Sequence, residues 1–175
     1  MNPEHVQVVR RGHSAIWSWK TANPQDCLDL SDADLSYIAL SRANLRGVNL
    51  HGATLRNADL SGASLQGADL GGADLFGADL SDADLTGADL HDADLSGANL
   101  RGANLHNASL SNAMLIGADL AEVDLPDADL KNAYTGRATV PSTRRNSAVL
   151  FGYVDSGFHP APPKALLHAS SAPIM

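Results

Sequence analysis

The chain is expected to be an all-β solenoid, a tube wound from short strands, and three observations predict it. Leucine occupies every fifth position from Leu30 to Leu130, twenty-one times without an insertion. Two residues before each leucine stands a smaller apolar residue, Ala in seventeen cases and otherwise Leu28, Ile38, Val48 or Val123. Two residues after it, eighteen of the twenty-one are Gly, Asn or Asp, the residues that most readily accept positive φ. A helix repeats its apolar face every 3.6 residues and a strand every 2, so a sustained period of 5 belongs to neither. Fixed-period self-similarity of this kind marks a stacked-coil architecture.

Each unit therefore reads as small-inside, polar-outside, large-inside, then two turn residues. The outside residue between the apolar pair is Asp, Asn, Ser or Thr in nineteen units, with Ala39 and Met114 the exceptions. An apolar pair spaced by two can face one interior only if the chain bends before the next pair. Repeating that bend closes a narrow tube whose successive coils pair as strands about 4.8 Å apart.

The run Ala68-Asp69-Leu70-Gly71-Gly72-Ala73-Asp74-Leu75-Phe76-Gly77-Ala78-Asp79-Leu80 resembles the pentapeptide-repeat family, whose consensus is A(D/N)LXX. The resemblance covers residues 28–133. It implies a right-handed quadrilateral β-helix with four pentapeptides per coil. Twenty-one units would make five coils and a fraction, a tube on the order of 25 Å long.

This divides the chain into an N-terminal cap (1–27), the β-helix (28–133), a C-terminal cap or dimerisation segment (134–160) and a flexible tail (161–175). A solenoid must cover the apolar end of its first coil. Residues 6–20 are expected to do so as one short helix, with Val6, Val9, Ile16 and Trp17 on one side. Asn23-Pro24 then ends it. Trp17 and Trp19, the two tryptophans, are read as plugs for the first coil. The period fails at Thr135, and the apolar stretch 147–154 is read as a terminal strand or helix. Within it Val149, Leu150, Phe151 and Tyr153 are candidates for a homodimer contact. Residues 160–163 read as an extended linker.

No stretch approaches the roughly 18 apolar residues of a membrane span. Residues 1–20 contain no apolar core of a secretory leader. The single cysteine, Cys27, excludes an internal disulfide framework and makes the cytoplasm the expected compartment. Cys27 itself reads as a small packing residue beside Leu28.

Charge is the second informative feature. Residues 28–133 carry sixteen Asp and one Glu against four Arg and one Lys, a net of −12, while the remainder is +4, giving −8 overall. Between Arg56 and Arg101 there is no Lys or Arg, yet nine carboxylates: Asp59, Asp69, Asp74, Asp79, Asp82, Asp84, Asp89, Asp92 and Asp94. With four units per coil, Asp69 stacks under Asp89, Asp74 under Asp94 and Asp59 under Asp79. Like charges so opposed are tolerable only on wet, screened faces. Capping of turn amides accounts for individual aspartates. A belt filled only with Asp goes further: its field repels nucleic acid and attracts a basic protein surface.

Other chemistry is sparse. His51 and His91 share a face but lie two coils apart, about 9.6 Å, too far to share a metal. His106 lies on another face, and the Asp89, His91, Asp92, Asp94 group reads as solvated side chains. No cofactor, metal or catalytic residue is expected, and the basic residues are too scattered for direct nucleic-acid binding. Phe76, Met114 and Ile116 fall on the face of Tyr37 and are candidates for apolar contact.

Two functions follow as expectations. Some proteins of the family resembled are acidic rods that occupy the DNA-binding saddle of DNA gyrase or topoisomerase IV, and the acidity here fits that class. This chain departs from many of them in using Leu rather than Phe at the large inside position and in carrying no projecting loop. The alternative is a protein-interaction scaffold with no topoisomerase role. Both are non-catalytic.

Overall fold

The computed structural model describes residues 1–139, in which two short helices lead into a stack of coils. Helix α1 spans Pro3–Arg10 and is started by Asn2, whose side chain accepts the Glu4 amide at 3.0 Å, with Pro3 at the first helical position. Helix α2 spans His13–Ala22 and ends at Asn23. The single helix expected over 6–20 is divided because Gly12 adopts φ 82°, a left-handed conformation that favours glycine. The break also reassigns the plug. Val6, Val9 and Ile16 are buried, Trp19 packs partly against the core edge-on to His5, and Trp17 is 66% exposed. One residue beyond the inward Ile16, Trp17 is turned about 100° around the helix and faces solvent.

The cap also satisfies the open edge of the first coil, which would otherwise present unpaired backbone groups. His5 Nδ1 accepts the Asp29 amide at 2.9 Å, and the Asn2 amide donates to the Asp29 carbonyl at 3.2 Å. Arg10 donates to the Asp34 carbonyl at 3.1 Å and Lys20 to the Arg46 carbonyl at 2.7 Å. Cys27 is exposed, and its thiol donates to the Gly47 carbonyl at 2.7 Å. It serves that edge instead of packing in the interior beside Leu28.

From Leu28 onward the backbone repeats one pattern. Every β-bridge is parallel and joins residues twenty apart, from Asp29↔Asn49 to Met114↔Tyr134. Twenty residues are four units, so the tube has four sides. At Leu70 the pattern is complete: its amide donates to the Asp89 carbonyl at 2.7 Å, and the Asp89 amide returns to the Ala68 carbonyl at 2.9 Å. The corner closes when the Ala73 amide donates to the Leu70 carbonyl at 3.0 Å, and the Gly72 amide reaches the His91 carbonyl one coil up at 2.8 Å.

Each corner holds the second residue after the large one at positive φ, between 53° and 69°. A single positive φ at the third of four turn residues is the type II pattern. That requirement explains the Gly, Asn and Asp of the sequence. Tyr37, Arg42 and Glu122 are held there as well, at φ 59°, 57° and 60°, although such residues ordinarily lose about 1–2 kcal/mol in this conformation.

The ladder and the corner bond satisfy four of the five amides of a unit. The fifth, just after the large residue, is satisfied by a side chain. Gly71 donates to Asp69 Oδ1 at 3.0 Å, Ser81 to Asp79 Oδ1 at 2.9 Å and Arg101 to Asn99 Oδ1 at 3.1 Å. The outward residue is thus usually an acceptor, in which Asp and Asn serve equally; Ala39 and Met114 occupy the position without one. Asp124 makes no such bond because Pro126, two residues on, has no amide hydrogen.

Inside, the leucines of the repeat stand in four columns, none more than 2% exposed, with the alanines beside them. The coil outlasts the leucine period. Thr135 is buried in the next large position, and the Thr139 amide still reaches the Ala118 carbonyl at 2.9 Å. The path continues because the backbone ladder depends on the corner, here with Arg137 at φ 62°, more than on the size of the inward side chain.

Replacing Leu80 by Ala should cost roughly 2–5 kcal/mol in equilibrium denaturation, since its column neighbours cannot collapse into the vacated volume. A loss under half a kcal/mol would contradict its inward position. A second expectation concerns acid. The Ser61 hydroxyl and amide, donating to Asp59 Oδ1 at 2.6 and 3.1 Å, hold its carboxyl below the usual carboxylate range. Ser36 acts likewise on Asp34, and Thr139 with the Ala121 amide on Asp119. These depressed values add stability above the unfolded pKa of about 3.9, and it is lost as pH falls through the folded values. Asp59→Asn keeps the acceptor without the titration, so its thermal midpoint should fall less between about pH 4 and pH 2 than that of the wild type.

Candidate functional site

The nine carboxylates between Arg56 and Arg101 do not form a stripe. Bridges pair Asp69 with Asp89 on one side, Asp74 with Asp94 on the next and Asp59 with Asp79 on the third, while Asp84 lies between Ser64 and Asn104 on the fourth. Asp82 and Asp92 occupy corners at φ 56° and 57°. Together they encircle the middle coils as a girdle, and a flat partner pressed against one side would meet only part of it. The coils are stacked so tightly because backbone bonds join them, and the carboxylates follow the backbone into direct opposition. Their faces stay wet: the Asp69 and Asp89 side chains are each 49% exposed.

Several groups temper this field. Arg56 Nη1 lies 2.8 Å from Asp74 Oδ2, although in sequence it marks the edge of the acidic interval. Asn99 donates to Asp79 Oδ1 at 3.1 Å, and Gln66 donates to Asp84. His91 Nδ1 stands 2.9 Å from Asp89 Oδ1 and His51 Nδ1 3.6 Å from Asp69 Oδ1. The Asp89 carboxylate, with lesser help from Asp92 and Asp69, raises the pKa of His91 against the opposing effect of burial. Burial alone would push Asp89 and Asp84 up, but hydrogen bonds from His91 and Thr86 respectively hold both below the usual range.

The apolar candidates lie along one edge of the tube, with Tyr37, Phe76 and Ile116 spaced two coils apart. Phe76 is 42% and Ile116 38% exposed, with buried Ser96 between them in the column; Tyr37, on the next column, is 76% exposed. Met114 lies beside Ile116 on the adjoining strand, between Asp94 and Tyr134. The Arg56 guanidinium carbon sits 4.6 Å from the centre of the Phe76 ring, adding a cation–π contact that sequence reading missed. Reading the chain in steps of twenty would have placed Arg56 over Phe76. Val149, Leu150, Phe151 and Tyr153 lie outside the described residues, as do residues 140–175 altogether.

One expectation is corrected here. The His51 and His91 rings are 6.0 Å apart between centroids, not the 9.6 Å that coil spacing suggests. The intervening residue of their column is Gly71, so the rings lean into the space that a side chain would have taken. Among the described residues, no group of three or more His, Cys, Asp or Glu side chains is arranged to hold a metal ion. No helix among them is long and apolar enough to cross a membrane.

The family model of pentapeptide repeats matches in eight copies, over residues 28–62, 55–92, 63–102 and 93–132. A pentapeptide repeat protein (Rfr23) from the cyanobacterium Cyanothece 51142 is 30% identical, with a TM-score of 0.64 over 70% of this chain and 95% of its own. Another, alr5209 from Nostoc PCC 7120, is 37% identical over 73% of this chain and 97% of its own, with a TM-score of 0.47. Full-length QnrB1, a plasmid-mediated fluoroquinolone resistance protein, is 19% identical over 72% of this chain and 70% of its own, with a TM-score of 0.34. No curated protein sequence matches the chain. The twenty-residue coils, the left-handed corners and the Ala and Leu columns are those of a quadrilateral β-helix, and the chain belongs to the pentapeptide-repeat family.

Proposed function

We propose that the protein is a non-catalytic binding module whose acidic girdle receives a basic protein surface, and that it does so as a mimic of DNA. The observation that carries this reading is the girdle itself: nine carboxylates within two coils' length of chain and no Lys or Arg among them. A rod of regularly spaced negative charge presents to a DNA-binding saddle what the phosphate backbone presents. Its strength is collective, because an exposed charge pair contributes under roughly 1 kcal/mol and salt screens it within about 8–10 Å. DNA gyrase or topoisomerase IV is the partner class first in line, and the cytoplasm the compartment this reading requires. A non-catalytic role is supported by Asp59, Asp84 and Asp89, whose carboxyls are pulled down by hydrogen bonds, the opposite of the raised value a general acid needs.

The second reading is a protein-interaction scaffold without a topoisomerase role. It is favoured by the apolar edge of Phe76, Ile116 and Met114, which offers contact that depends little on charge. The dimer contact proposed for Val149, Leu150, Phe151 and Tyr153 is compatible with either.

The joint change of Asp69, Asp74, Asp79, Asp84, Asp89 and Asp94 to Asn keeps the amide caps and removes six charges. The variant should retain the wild-type circular-dichroism spectrum. In gyrase supercoiling titrations the wild type should inhibit or protect in a salt-sensitive way and the variant should lose that effect at least tenfold. An equal effect from both proteins would leave the aspartates structural. The dimer proposal is checked separately by light scattering: removing residues 147–175 should lower the mass from that of a dimer to that of a monomer at micromolar concentration, and a monomeric full-length chain would refute it.

A further inference from the structure

The column that contains Gly71 runs Ser31, His51, Gly71, His91, Ser111, Lys131, one residue per coil. Gly71 has no conformational reason to be glycine, because it precedes the left-handed position and its φ is not positive. Its effect is to leave a notch. A Cβ built on Gly71 would lie 2.8 Å from His91 Nδ1, 3.0 Å from His51 Nδ1 and only 2.3 Å from His91 Cε1. Both rings therefore converge on the space above one backbone atom, from the coils on either side of it.

We infer that His51 and His91, meeting over the Gly71 notch, form a two-imidazole site for a nitrogen-preferring divalent transition ion such as Zn²⁺. Imidazole nitrogens bind Zn²⁺ at about 2.0–2.1 Å, and two rings sharing one ion have centroids roughly 5–6 Å apart. The observed 6.0 Å separation, at an interplanar angle of 34°, lies at the upper end of that range and needs only a small ring adjustment. Asp89 Oδ1, 2.9 Å from His91 Nδ1, holds that nitrogen as N–H, so His91 would ligate through Nε2, beside the Cε1 that fills the notch, and His51 through Nδ1, which lies 3.0 Å from the Gly71 Cβ position. This is the supporting carboxylate that metal-binding histidines commonly use. Asp69, whose Oδ1 is 3.6 Å from His51 Nδ1, supplies negative charge on the other flank. Water completes the coordination.

The rings converge because a glycine that the backbone does not require stands between them, and Asp89 and Asp69 flank the pair. A hard ion such as Mg²⁺, which prefers oxygen, is not expected to compete. The site lies within the girdle but does not depend on the partner reading, since ion binding is measured on the protein alone.

Isothermal titration of the full chain, free of any histidine tag, with Zn²⁺ at pH 7.5 should show one equivalent bound with a micromolar Kd, unaffected by millimolar Mg²⁺. His51→Ala and His91→Ala should each weaken that binding at least tenfold, and His106→Ala should leave it unchanged. Gly71→Ala, which fills the notch without straining the backbone, should weaken it at least tenfold as well. Circular dichroism of all four variants should match the wild type, because the histidines are at the surface. Absence of binding to the wild type, or binding that survives removal of either histidine or filling of the notch, would overturn the assignment.

Discussion

The corner is the constraint on which the rest of this protein depends. Five residues can turn through one side of the tube only if the second residue after the large one takes a left-handed conformation. Every described unit does so, whether the residue is Gly or one that resists it, such as Tyr37. Once the corner is set, the amide immediately before the left-handed residue cannot join the ladder. In most units an outward acceptor then reaches back to it, as Asp69 does for Gly71. Alternation of small and large inward residues, the polar outer column and the tight stacking of coils all follow from that single backbone requirement.

Seen this way, the acidity of the middle coils has two separable origins. The acceptor is dictated by the backbone; its charge is not, because Asn99 and Asn104 cap the same amides without one. Choosing Asp at every outward position from Asp69 to Asp94 accepts repulsion between opposed carboxylates such as Asp74 and Asp94, moderated by solvent and by Arg56. Selection for a bare acceptor would not require this. The excess charge is therefore a part of the surface that the fold itself does not dictate.

Much of this was legible in the sequence because one period governs backbone, core and surface together. The leucine and corner positions are read from spacing alone, and the opposed aspartates follow once the family resemblance supplies four units per coil. What was not legible depends on single residues that act against the pattern. Gly12 splits the N-terminal helix and turns Trp17 outward, a change that helical periodicity cannot anticipate. Cys27 belongs to the edge of the first coil, where the thiol finds a carbonyl, although its neighbour Leu28 is in the core. His51 and His91 approach one another because of an atom that Gly71 lacks, so counting coil spacings overestimates their separation. Thr135 continues the coil without a leucine because the ladder does not consult side-chain volume.

The N-terminal cap has a consequence beyond covering an apolar end. Units so alike could slide past one another by five residues and still bury Ala against Ala and Leu against Leu, an ambiguity that ordinary sheets avoid through their varied side chains. The helices remove it at one place. His5 and Asn2 grip both backbone groups of Asp29, and Arg10 and Lys20 grip carbonyls on the second and fourth sides of the same coil. With that coil pinned, each later coil has one template to copy, and alignment passes along the rod as an inherited phase. An error at the start would be copied faithfully to the end.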